Sequence, residues 1–310
     1  MAFNLLRISL TIFFLWLISI QIEWSSVIEK SLSVKWWWII AAILLQVLIF
    51  IIGAIRWWVF FRHEHTSNTL RQLIKPYFIG ALFNNFLPAA TGGDALRAYH
   101  IYKQGFDSSL AISPIIVERA IGVCVMFGMA SSIIPFIEFK AKWMQQFSIF
   151  IPTIFLSLVI LLSIIGWSRV YEVMHNFLKK QYKFKFIKII LKISKTTHKY
   201  LKSPSLVLTI TSLSVVAQFM EIVVFFTISQ SIDTVMPFSN FILAVPIILI
   251  ITGLPISIGG FGVREVATIT IFSTMGMSNA ESALIALLFI PVLVIASFPG
   301  LYFFLNLKND

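Results

Sequence analysis

The pattern L-P-x-x-x-G-G-x-x-x-R occurs twice in this chain, from Leu87 to Arg97 and from Leu254 to Arg264. Proline and paired glycine interrupt helices. The stretches around both copies are apolar, and in hydrocarbon an interrupted helix leaves backbone N–H and C=O groups without partners. Such breaks persist only where protein or enclosed water satisfies the freed groups. Matched breaks in the two halves of a membrane chain point to a substrate site near the bilayer midplane.

The rest of the sequence requires a membrane. Of 310 residues, 58% are hydrophobic and 12% charged, with a mean hydropathy of +0.92, outside the range of soluble domains. Runs near the ~20 residues needed to cross a bilayer predict full spans at about 5–22, 36–55, 117–137, 147–167, 206–229 and 282–305. No small-x-small cleavage pattern follows the first run, so it reads as an uncleaved span. A lone Cys124 excludes an intrachain disulfide.

Positive charge on the connections orients the spans. Arg7 and Lys308 predict both termini in the cytoplasm, as do Arg56, Arg62, Arg71 and Lys75 for the second connection. The multi-pass protein is thus expected in the cytoplasmic, or inner, membrane. Pro76–Ile116 and Phe238–Met277 do not fit as simple spans and read as broken or re-entrant helical regions. The predicted fold is all-α, with six full spans plus these two regions, or eight spans if the second crosses twice. It forms one transmembrane domain with an inverted repeat, one unit at about 36–137 and the other at about 206–305.

The net charge of +11 concentrates between Arg169 and Lys202, which hold ten basic residues and one acid. Within 184–202, Lys185, Lys188, Lys192, Lys195, Lys199 and Lys202 alternate spacings of three and four. On a helix of 3.6 residues per turn they share an arc of roughly 100°. Phe186, Ile189, Ile190, Ile193, Tyr200 and Leu201 fall opposite. That pattern predicts an interfacial helix with its lysines toward anionic headgroups, and a setting between spans argues against nucleic acid as partner.

An ionisable side chain at membrane depth carries a penalty of at least ~2.5 kcal/mol and needs a partner or a cavity. The candidates are Asp94 and Arg97, Glu118 and Arg119, Glu221, and Arg264 and Glu265. Arg97 and Arg264 hold the same place in the two motifs, and a guanidinium fork suits phosphate oxygens. The amides following Gly92-Gly93 and Gly259-Gly260 are expected to add N–H donors at helix starts, with Asn84, Asn85 and Thr91 beside the first. Glu118 and Glu265 are expected to pair with the arginines when no lipid is bound. Each charge has a plainer reading, as an ion pair holding broken helices together. His63-Glu64-His65 lacks a zinc-protease spacing, the glycines match no nucleotide loop, and no cofactor is expected.

Three segments resemble the lysylphosphatidylglycerol synthase transmembrane family, the flippase-like family also described as UPF0104. They are Phe83–Pro88 through Gly92–Tyr99, Val117–Gly122, and Pro255–Glu265. The resemblance implies a domain that moves a lipid between leaflets, and it carries binding roles to the matching residues named above. Family synthases add a soluble aminoacyl-transfer domain, whereas this chain ends at Asp310, so synthase activity is not implied.

Together these features point to translocation of an anionic phospholipid or lipid-linked intermediate, without catalysis, and with a separate synthase or glycosyltransferase as possible partner. One alternative is a polytopic transferase acting on a polyprenyl-linked sugar, with Glu23 or Glu29 as its carboxylate. Another is a structural or regulatory membrane partner.

Overall fold

The computed structural model describes residues 2–87, 92–137, 142–179, 185–254 and 256–306, and every element among them is helical. In chain order these are α1 (Ala2–Gln21), α2 (Trp24–Leu32), α3 (Trp36–His63), α4 (Leu70–Phe86), α5 (Gly92–Lys103), α6 (Ser108–Ile133) and α7 (Lys142–Gly166). There follow α8 (Ser168–Lys179), α9 (Lys185–Leu201), α10 (Pro204–Gln230), α11 (Phe238–Gly253), α12 (Val263–Thr274), α13 (Asn279–Ser297) and α14 (Pro299–Leu305). Trp36–His63, Ser108–Phe136, Gln145–Gly166, Pro204–Gln230 and Asn279–Leu305 are long and apolar enough to cross a membrane. They correspond to five of the six expected spans. The expected span at 5–22 falls on α1, part of whose side chains, including Arg7, lie outside the described residues.

Two boundaries differ from the sequence reading. Helix α6 starts at Ser108, well before the expected 117, because the Asp107 side chain caps it by accepting from the Ser109 amide at 3.3 Å. Pro114 is then carried inside the helix. Helix α3 continues past 55 to His63, so Arg56 lies within a span rather than in the following connection.

The two motif regions are helix pairs that stop and restart. Leu87 and Leu254, each followed by proline, take extended ψ values of 147° and 139° and end α4 and α11. A proline disfavours the helical conformation in the residue before it. Helix α4 then packs on α5, and α11 on α12. The two copies differ in how they restart. Gly92 and Gly93 already belong to α5, whereas Gly259, Gly260 and Gly262 have φ of +57°, +81° and +81° and hold α12 back to Val263. Asp94 favours a first helical turn, while Gly262 disfavours one. Arg97 and Arg264 therefore match in sequence position but not in local conformation.

Helices α3 and α10 form the central pair and run antiparallel. The Lys35 amide donates to the Ser231 carbonyl at 2.9 Å, Gln46 meets Glu221, and Arg56 meets Ser214. Around this pair α6 packs on α11 and α13 on α4; likewise α6 packs on α10 and α13 on α3. Phe225, Phe241, Phe272 and Phe289 fill the largest core, with Phe225 and Phe289 stacked at 4.5 Å. Only 6% of the α7 span is buried inside the protein, so most of that helix faces lipid.

Helix α9 matches the expected 184–202 helix. Lys188, Lys192, Lys195, Lys199 and Lys202 are exposed, while the side chain of Lys185 lies outside the described residues. Its apolar side is not left wholly to lipid: Leu191, His198 and Tyr200 are buried, and the helix packs on α6 and α7. Ile189, expected on that side, is 37% exposed. Two lysines fasten the helix to neighbouring connections, Lys192 to Asp107 and Lys199 to Glu64, each at 2.8 Å. The hydrogen bond from Lys192 holds the Asp107 carboxyl below the usual range. That tie is therefore present at neutral pH and is lost as pH falls through the lowered value.

Candidate functional site

The first motif builds a ladder of alternating charge. Asp94 and Arg97, one turn apart on α5, lie 2.5 Å from each other. The second Asp94 oxygen accepts from Arg119 Nε at 2.6 Å. Arg97 Nη1 lies 3.7 Å from Glu118, whose other oxygen takes Arg56 of α3. Arg56 in turn donates to Ser214 of α10 at 3.0 Å. Asp94, Arg97 and Glu118 are buried, and Arg119 reaches the surface. Tyr77 and Trp57 cover the Arg97 guanidinium at 4.5 and 5.3 Å. The low-dielectric setting makes each partner necessary, because an unmatched charge here would be strongly destabilising.

The glycines let the helices approach. A Cβ on Gly93 would collide with the Gly80 carbonyl of α4, and a Cβ on Gly80 would come within 2.7 Å of Arg97 Cγ. The Gly93 amide is taken by Asn84 Oδ1 at 2.7 Å. Asn85 donates to Ser297 of α13 at 3.2 Å, and its backbone carbonyl lies where a Cβ on Gly259 would stand. The ends of the two broken regions therefore meet at Asn85 and Gly259. Thr91, placed in the site by the sequence, lies outside the described residues.

The second motif builds a sparser centre. Arg264 Nη2 donates to the Gly259 carbonyl at 2.9 Å, and the guanidinium lies over Phe289 at 5.2 Å. Its Nε and Nη1 are buried with no hydrogen-bond partner among the described residues. Glu265 does not take up the expected pairing with Arg264. Its carboxylate turns back onto the Gly262 amide as the cap of α12. Adjacent residues on a helix point ~100° apart, and the cap leaves Glu265 Oε1 without a partner. Glu221, in the middle of α10, meets the Gln46 amide at 3.4 Å.

Two expectations thus change. The amides of Gly93 and Gly262 are already satisfied by side chains, because a buried N–H must find a partner. The buried guanidinium donors left without a hydrogen-bond partner among the described residues are two on Arg264, Nε and Nη1, and one each on Arg56 (Nε) and Arg97 (Nη1). The charged cluster also includes Arg56 and Gln46, which the sequence reading did not assign to a site. Gln46 was legible as a single amide inside an apolar span. Arg56 was legible only if α3 was allowed to run on through Trp57–Phe61.

An apolar groove lies beside each centre. One, of about 610 Å³, is lined by α6, α7 and α10, including Ile121, Cys124, Phe155 and Val215. Ile121 and Val215 stand within a turn of Glu118 and Ser214. The other, of about 370 Å³, is lined by α1, α7, α11 and α12, and Val263 and Val266 place it next to Arg264. The alternative carboxylates, Glu23 and Glu29, stand exposed on or before α2, away from both centres.

Residues 4–298 match the family described as lysylphosphatidylglycerol synthase TM region. A UPF0104 membrane protein from Pyrococcus horikoshii is 28% identical over 107 residues, a stretch covering 32% of this chain and 32% of that relative. The chain thus matches only about a third of that relative's length. The helices, the doubled break and the near-complete match agree: this multi-pass membrane protein belongs to the lysylphosphatidylglycerol synthase TM region family.

Proposed function

We propose that the protein moves a lipid with an anionic, phosphate-bearing headgroup between leaflets. One observation carries the reading: the buried Arg264 guanidinium has two N–H groups without a hydrogen-bond partner among the described residues, on the same helix as Val263 and Val266, which line an apolar groove. A phosphate oxygen satisfies such a donor, and the groove suits an acyl or polyprenyl chain. The first centre, where each of three arginines already contacts Asp94 or Glu118, is the same device in its closed condition. A separate synthase or glycosyltransferase would supply the lipid, and no bond is made or broken by this chain. The test is reconstitution into vesicles carrying fluorescent phosphatidylglycerol, scored by loss of signal to an external quencher. Exchange no faster than in protein-free vesicles would reject the reading.

The proposed arrangement is an inverted repeat, with both termini in the cytoplasm and α7 as connector. Antiparallel α3 and α10, each opening one unit, support it, as does the exchanged packing of α4 with α13 and α6 with α11. On a Cys124→Ala background, single cysteines at Thr91 and Ser257 should label from opposite faces, the first from the cytoplasm. Labelling of both from one face would exclude the inverted arrangement.

Helix α9 is proposed to rest on anionic headgroups through its outward lysines. Replacing Lys188, Lys195 and Lys202 by glutamine should weaken binding to phosphatidylglycerol-rich bilayers by ~1 kcal/mol per residue. Spin labels on the lysine face should then move away from the headgroups. Unchanged depth would contradict the contact.

A further inference from the structure

Glu221 has no role in the phosphate site just described, yet its surroundings are unusual. It is 9% exposed, sits in the middle of the spanning helix α10, and has the Gln46 Nε2 as its hydrogen-bond partner, at 3.4 Å. Gln46 is itself only 2% exposed, and its Oε1 has no partner among the described residues. An amide offers a donor on one side and an acceptor on the other. Turned as it is, Gln46 serves an ionised Glu221; turned over, its Oε1 accepts the O–H of a protonated one. The pair is therefore fitted to both protonation states of the carboxyl. Burial with one long hydrogen bond leaves an ionised carboxyl there poorly solvated.

The other charges near Glu221 are few. On α3, Arg56 lies at the level of Ser214 and is held by Glu118 of α6. Helix α11 brings no ionisable residue. On α13, Glu281 sits in the first turn and pairs with Lys30 at 3.0 Å. The lysines of α9 lie at the opposite end of α10, around its start. That leaves Arg264 and Glu265 of α12; the Arg264 guanidinium lies over Phe289, which stacks on Phe225, one turn beyond Glu221 on α10. With Glu221 ionised, it and Glu265 outweigh the one guanidinium, and an arriving phosphate is repelled. With a proton on Glu221, Arg264 and Glu265 balance, and the open Nε and Nη1 donors can take the anion.

Resting on the translocation reading above, we infer that Glu221 is a proton site linked to the Arg264 anion site, so that one proton is taken up as the anionic headgroup binds. The proton joins the Glu221 carboxylate on the side where the lipid enters. It returns to water on the side where the lipid leaves. No other group need change charge, and the cycle gives an anionic lipid access to a transmembrane pH difference as its driving force.

The experiment uses the full-length protein in phosphatidylglycerol vesicles and, separately, in detergent with short-chain phosphatidylglycerol. In vesicles, exchange by the unmodified protein should fall about tenfold for each pH unit above a titration midpoint. Glu221→Gln should run at one rate across the same pH range. In detergent, lipid binding at a pH above the midpoint should take up one proton from a weakly buffered solution, and Glu221→Gln should take up none. Gln46→Leu, which removes the two-sided partner while keeping the carboxyl, should shift the midpoint rather than abolish it. A Glu221→Gln pH profile that follows the unmodified one, or lipid binding without proton uptake, would overturn the proton site while leaving translocation intact. Absence of exchange at every pH would instead reject translocation, and this inference with it.

Discussion

Arg264→Gln is expected to slow anionic-lipid exchange by roughly 10- to 100-fold, the loss of one or two charge-assisted hydrogen bonds. Its unfolding midpoint should stay near that of the unmodified protein. The guanidinium already leaves Nε and Nη1 buried without hydrogen-bond partners among the described residues, and the Glu265 carboxylate beside it stays held by the Gly262 amide. Arg97→Gln should behave in the opposite way. Arg97 stands between Asp94 and Glu118, and its loss breaks both buried contacts and leaves Asp94 to Arg119 and Glu118 to Arg56, a change of about 3–5 kcal/mol. Little folded protein should survive extraction in mild detergent. Arg264→Lys should restore only part of the exchange, because an ammonium keeps the charge and loses the planar fork. Chemical unfolding and vesicle exchange on the same preparations check both halves. Equal loss of stability in the two glutamine variants would show that the two centres do not differ in the way described.

A second large effect is expected at the glycines. Gly93→Ala forces a Cβ into the Gly80 carbonyl, and Gly259→Ala forces one into the Asn85 carbonyl at a residue with φ of +57°. The obstacle in both cases is backbone, which cannot rotate aside as a side chain would. Each substitution should destabilise by about 2–3 kcal/mol. Gly122→Ala is the matched control, since a Cβ there meets nothing within 4 Å. It lies inside α6 and should stabilise by ~0.5–1 kcal/mol through helix propensity alone. Unfolding of the three variants under one condition decides the point. A Gly93→Ala protein as stable as Gly122→Ala would mean that α4 and α5 do not need their close approach.

The doubled motif made the broken helices legible because proline and paired glycine coincide there; proline alone leaves α4, α6 and α11 unbroken at Pro76, Pro114 and Pro246. Leu87 and Leu254 are extended for that local reason. Asp94, Arg97, Glu118 and Arg119 were legible because charge is rare in such a sequence, and the structure joins them in one cluster. Arg56 was missed through a sound rule applied too early. Basic residues mark cytoplasmic connections, but this one lies among Trp57, Trp58 and Phe60, which carry the helix onward. The differing restarts of α5 and α12 were hidden by the shared letters of the motif. The residues at its variable positions, Asp94 and Gly262, decide where helix can begin. Which arginine is matched and which is open depends on α3 and α10, and the motif does not contain them.

Ser214 and Glu221 lie seven residues apart on α10, close to two full turns and about 10 Å along its axis. They therefore share one stripe of the helix, and that stripe faces Arg56 and Gln46 of α3. Any slide or roll of α10 against α3 must disturb both contacts in the same stroke. The two charge centres are geared together as teeth on one rack, so a motion that opens the first resets the distance at the second.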